Sequence, residues 1–157
     1  MYVCVCHHVC VCARKQVASS QAHAEDFLSK IGALAKKGQV SAIVQGMLQY
    51  PGRENVQEAA CRALWGLAVN ADNQVKVAAE GGIRAILGAM QGHPASAGLQ
   101  EAACLALCNL ALNNADNQVK VKSAGAEDAV KRAMALKDAT ALTKDWGRKL
   151  LDRLKNV

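Results

Sequence analysis

Apolar positions along the chain return at helical spacing in blocks that Gly and Pro interrupt. In Glu25–Lys37 the spaced residues are Phe27, Ile31 and Leu34, and Gly38 ends the block. Val40–Gln49 sets Val40, Ile43, Val44 and Met47 on one face before Pro51-Gly52. A longer block, Glu54–Val69, carries Val56, Ala59, Ala60, Ala63, Leu64, Leu67 and Ala68, a stripe wide enough to bury two sides of a helix. Asp72 is the expected N-cap of a short helix, Asn73–Ala79, and Gly81-Gly82 turns the chain into Ile83–Gln91. After Pro94 a long helix is expected over Ala97–Leu112, then a short one over Asp116–Ala124 and another over Ala126–Leu136. The last, Leu142–Leu154, has a narrow stripe of Leu142, Trp146, Leu150 and Leu154 among charged residues. One apolar and one charged face describe a terminal cap.

The pattern is written twice. QEAACRALWGLAVN-ADNQVKVAAEGGIRAILGAM begins at Gln57, and QEAACLALCNLALNNADNQVKVKSAGAEDAVKRAM begins at Gln100, 43 residues on; an inserted Asn makes the step 44 thereafter. The same shift of 43 lays Gly38, Ala42, Ile43, Met47, Pro51 and Gln57 on Gly81, Ala85, Ile86, Met90, Pro94 and Gln100. A helical period of about 40–47 residues is the signature of armadillo and HEAT arrays. The order short helix, turn glycine, middle helix, break, long helix resembles the armadillo repeat over about residues 24–155. The resemblance implies an all-α, right-handed superhelical solenoid of about three units (about 24–70, 71–113 and 114–157), monomeric or part of a longer array. A HEAT array of two-helix units is the rival.

In the armadillo family the long helices line a concave groove that grips extended peptides, often through a Trp and an Asn one turn apart. By similarity those places fall on Arg62 and Gly66, Leu105 and Asn109, and Lys149 and Arg153; Asn109 alone matches, and the Trp is absent from all three. Trp65 stands one place before the Asn position, where partial burial is expected. The resemblance implies a non-catalytic scaffold that binds a protein or an extended peptide. The expected binding face comprises Glu58, Arg62, Glu101, Leu105, Asn109, Lys149 and Arg153.

Composition agrees with close-packed helices: 52% of residues are apolar and only 3% aromatic. No apolar run is long enough to span a membrane. Of the net charge of +6, most sits in the basic stretch Val119–Val157, while Glu54–Gln118 is net acidic. Binding of nucleic acid through the basic C-terminal unit is therefore the alternative function, ranked second because base stacking needs aromatic residues. Cys61, Cys104 and Cys108 sit in apolar helix text and read as small core hydrophobes, which favours a reducing compartment, cytoplasmic or nuclear.

Met1–Lys15 is different in kind. Cys4, Cys6, His7, His8, Cys10 and Cys12 form a candidate Cu(I) or Zn(II) set, although the Cys-x-Cys steps are not those of a zinc knuckle. A signal peptide cut near Ala13 would lack a positive n-region. Alternating GTG and TGT codons also spell Val-Cys, and a low-complexity or gene-model origin is the favoured reading. Residues 1–23 are thus expected to be a disordered lead-in that adds nothing to the fold, with the array continuing upstream or cut off there. No hydrolase elbow, phosphate loop or metalloprotease His pair is present, His23 and His93 read as solvated loop residues, and no enzyme activity or cofactor is expected.

Overall fold

The computed structural model describes the backbone of residues 5–155 and the side chains of residues 21–155. Among the described residues the fold is all-α. The helices are α1 (Val5–Lys36), α2 (Val40–Gln49), α3 (Glu54–Leu67), α4 (Ala71–Ala79), α5 (Gly82–Gly92), α6 (Ala97–Leu110), α7 (Ala115–Ser123), α8 (Ala126–Met134) and α9 (Ala141–Leu154). The long helices α3, α6 and α9 pack side by side in that order. The middle helices α2, α5 and α8 pack in a parallel series against them, and α4 and α7 close one edge.

Close packing of the long helices follows from their side chains. From Leu99 to Ala111 every residue of α6 except Glu101 is buried. Ala102, Ala103 and Ala106 keep the buried helix slim, while Leu99, Leu107 and Leu110 fill the core around it, all of them fully buried. Each such Leu contributes about 1.5–3 kcal/mol of transfer free energy.

Several helix boundaries differ from the pattern-based expectation: α3, α6 and α8 each end two residues sooner, and the starts of α1 and α4 lie earlier. The helix expected from Glu25 is already formed at Val5, the first residue described, and no Gly or Pro interrupts the chain before Gly32. The stretch Gln16–His23, expected to be disordered, is therefore helical backbone. The Cys/His set expected to bind metal (Cys4, Cys6, His7, His8, Cys10, Cys12) lies outside the residues whose side chains are described. The N-cap of α4 is Asn70 rather than Asp72. Its side chain accepts from the Asn73 N–H at 3.1 Å, and Asn114 caps α7 through the Asn117 N–H at 3.0 Å. Asn outcompetes Asp here because it precedes the first helical residue with extended backbone; Asp72 and Asp116 fall inside the first turn, where negative charge meets the positive end of the helix dipole.

A rotation distinguishes the last helix. Its inward line is Thr143, Gly147, Leu150 and Leu154, all buried, whereas Leu142 is 53% exposed. Gly147 explains the turn: a Cβ there would lie 2.7 Å from Met134 Cγ, so the helix brings its bare backbone against α8. Trp146 is left half-buried at the edge of the layer.

Buried amides end the helices. Gln57 Nε2 donates to the carbonyls of Met47 and Tyr50 at 2.8 and 2.9 Å, and Gln100 Nε2 to those of Met90 and His93 at 2.8 and 3.1 Å. Each glutamine thus serves a carbonyl in the last turn of the middle helix before it and, with a backbone N–H, that of its C-cap residue. Asn73 and Asn117 do the same for Leu67 and Leu110, and Gln74 and Gln118 for Ala68 and Ala111. No buried side-chain nitrogen or oxygen among the described residues lacks a partner.

Replacing Gln100 by Leu, nearly isosteric and fully apolar, strands the Met90 carbonyl, while that of His93 keeps the Ser96 N–H, and is expected to cost about 1–3 kcal/mol. Urea unfolding should show a matching loss for Gln57→Leu. The exposed Gln91→Leu is the control and should change stability by no more than about 0.5 kcal/mol.

Candidate partner-binding face

The exposed stripe of α3 runs through Arg62, Trp65, Gly66 and Val69, spaced as one face of a helix at its C-terminal end. Beside it lie α6 and then α9. The residues expected to bind a partner divide into two groups once their contacts are traced.

Five of the seven are engaged within the layer. A Cβ on Gly98, in the first turn of α6, would lie 2.9 Å from Glu58 Oε2, so the Glu58 carboxylate rests on the start of the next long helix. Glu101 stands one period later and accepts from the hydroxyl of Thr140, the N-cap of α9. At the other end of the layer, Asn109 Nδ2 donates to the Trp65 carbonyl at 3.3 Å. Arg153 Nη1 reaches the Cys108 carbonyl at 3.4 Å and also touches Cys108 Sγ. Trp65 and Cys108 both lie in the last turn of a helix, where carbonyls lack helical partners. Leu105 and Asn109 are only 5% and 7% exposed. These side chains hold successive long helices in register, and little of them is left for a partner.

Arg62 and Lys149 remain at the surface. Arg62 pairs with Glu58 at 3.0 Å; Lys149 pairs with Asp145 at 2.7 Å and lies 4.6 Å over the Trp146 ring. These exposed i,i+4 pairs are each worth a few tenths of a kcal/mol. The apolar members of the face went unmarked by sequence reasoning. Trp65 and Leu112 are 37% exposed and Val69 is 75% exposed. Val69 and Leu112 are 43 residues apart, at the same place in the two copies, and that recurrence was the available signal.

Cys61, Cys104 and Cys108 are free, buried thiols on α3 and α6. Burial pushes Cys61 and Cys104 up to about 12, with the negative charges of Glu58 and Glu101 adding to the effect. Burial also raises Cys108, but Arg153 and Lys149 pull it back. Such thiols stay protonated and pack as apolar groups. No group of three His, Cys, Asp or Glu among the described residues is arranged to hold a metal ion, and no described helix is long and apolar enough to cross a membrane. His93, expected to be a solvated loop residue, instead bridges two turns: its Nε2 lies 2.9 Å from the Pro51 carbonyl, which can only accept.

Comparison with protein-family models, with curated proteins and with solved structures finds no match to this chain.

Two outcomes are expected from these contacts. Asn109→Ala should lower unfolding stability by about 1 kcal/mol, whereas Arg62→Ala and Lys149→Ala should each stay within about 0.5 kcal/mol in the same urea titration. The thiols make stability depend on alkaline pH. Below the ordinary thiol value of 9.0 the folded and unfolded chains hold the same protons at Cys61 and Cys104. Between 9 and about 12 the unfolded chain loses them first, so folding is progressively disfavoured as pH rises. The double variant Cys61→Ala, Cys104→Ala should show a shallower decline across that window.

Proposed function

We propose that this chain is an armadillo-type, right-handed superhelical solenoid of about three units, acting without catalysis as a scaffold for a protein or an extended peptide. The partner segment lies along the face of α3, α6 and α9. One observation carries the reading: Trp65, Val69 and Leu112 stand exposed together at the C-terminal ends of adjacent long helices, although neighbouring residues of α6 are buried. Exposed apolar side chains clustered on one face mark interaction surfaces, and Trp is a frequent anchor in them. Further support comes from the bonds that repeat one period apart, Asn109 to Trp65 and Arg153 to Cys108. They relate each long helix to the last in the same way, as a repeating array requires.

On this reading Trp65, Val69 and Leu112 supply apolar contact, and Arg62 and Lys149 at the flanks favour a partner with acidic groups. Glu58, Glu101, Asn109 and Arg153 act indirectly, by holding the helices that present the face. Cytoplasm or nucleus is the proposed compartment.

The test is capture of a partner from cell extract by the full chain, followed by titration of the purified partner. Trp65→Ala with Leu112→Ser is expected to weaken binding at least tenfold while leaving the helical circular dichroism unchanged. Recovery of mixed RNA instead, with affinity falling steeply as salt rises, would favour the nucleic-acid reading.

A further inference from the structure

Away from the long-helix face, two clefts occupy equivalent places one period apart. The first, about 290 Å³, is lined by Gly38, Ser41, Lys76 and Glu80 among others. The second, about 350 Å³, has Gly81, Arg84, Lys120 and Ala124 at the corresponding positions, each 43 or 44 residues further on. The backbone frame is shared: Gly38 and Gly81 both take positive φ, 64° and 78°, at the entry to α2 and α5. The chemistry is not shared.

In the first cleft the chain supplies its own anion. The Glu80 carboxylate accepts from the Ser41 hydroxyl at 2.7 Å, and Lys76 lines the same wall. One cation faces one carboxylate. In the second cleft Ala124 stands where Glu80 stood and Arg84 stands where Ser41 stood, while Lys120 repeats Lys76. That wall carries two cations and no carboxylate, and neither Arg84 nor Lys120 joins an ion pair among the described residues. The position of the missing carboxylate opens onto the cleft.

We propose that the second cleft is a binding site for a doubly charged oxyanion of the phosphate class, which takes the place that the Glu80 carboxylate holds one period earlier. The planar guanidinium of Arg84 offers a paired set of N–H donors, and Lys120 adds a compact ammonium to the same lining. Two positive groups match the charge of a phosphate better than that of a single carboxylate. Both side chains are exposed, so the affinity depends on ionic strength.

The first cleft also shows how the site can be closed from within. Ala124→Glu restores the carboxylate that the earlier copy carries, and Arg84→Ser restores its hydroxyl. The full chain, labelled with ¹⁵N, is titrated by NMR at low ionic strength with inorganic phosphate, with phenyl phosphate and with acetate. Saturable shifts confined to the amides of residues 81–84 and 120–124 are expected, with acetate several-fold weaker. Both variants should weaken phosphate at least tenfold, their unchanged remaining spectra showing an intact fold. Tighter binding of phenyl phosphate than of the free ion would assign a phosphoryl group carried on a larger molecule; the reverse would assign the free ion. Shifts that grow linearly, spread over all surface cations or persist in Ala124→Glu would overturn the proposal.

Discussion

Helix α6 can be surrounded by neighbours because so many of its buried side chains are small: Ala102, Ala103, Cys104, Ala106 and Cys108 are all closed off from solvent. With side chains of that size inside, α3 and α9 both pack on α6 and water is excluded from nearly every α6 side chain. Larger residues would separate the axes, and the leucines that fill the core around it would lose their partners. Interiors packed to crystalline density transmit such a change along the layer. Gly147 extends the same device to α9: by admitting Met134, it turns the last helix so that Leu150 and Leu154 point inward.

Short helices at high density raise a second demand. Each helix leaves several carbonyls without partners, and here many of those carbonyls are buried. The side-chain amides of Gln57, Gln74, Gln100, Asn73, Asn117 and Gln118 meet them. These polar residues therefore belong to the core as firmly as the leucines. It is also why so much polar text recurs in both copies. In the last unit Thr143 stands in the glutamine position and hydrogen-bonds Thr140 instead, a change that accompanies the altered seating of α9.

The same logic bears on function. Glu58, Glu101, Asn109 and Arg153 have the polarity of surface contacts, yet their contacts run from one long helix to the next. What remains open on that face is apolar, with a paired cation at either side. The two clefts at the C-terminal ends of the short helices α4 and α7 show a different use of repetition: one frame, written twice, with a carboxylate in one copy and an arginine in the other. Duplication supplies a built-in reference for what the changed copy lacks.

Helix type and approximate extent were determined by the sequence alone, because apolar spacing and the Gly and Pro breaks are local properties. So was the equivalence of the two copies, which rests on text. The burial of Cys61, Cys104 and Cys108 was legible for the same reason, since their immediate neighbours are apolar. The helical backbone of Gln16–His23 runs against its polar composition, which marks a lead-in, and agrees with the absence of any helix breaker there. The cap of α4 lies two residues before the expected Asp72 because Asn and Asp carry similar propensities, and only the backbone angles separate them. Tertiary structure alone decided which polar residues of the long helices reach outward. That depends on how far apart neighbouring helices sit and how each is rotated about its axis. Those quantities are set by contacts about 44 residues apart, such as Asn109 with Trp65 and Arg153 with Cys108, and no local pattern contains them.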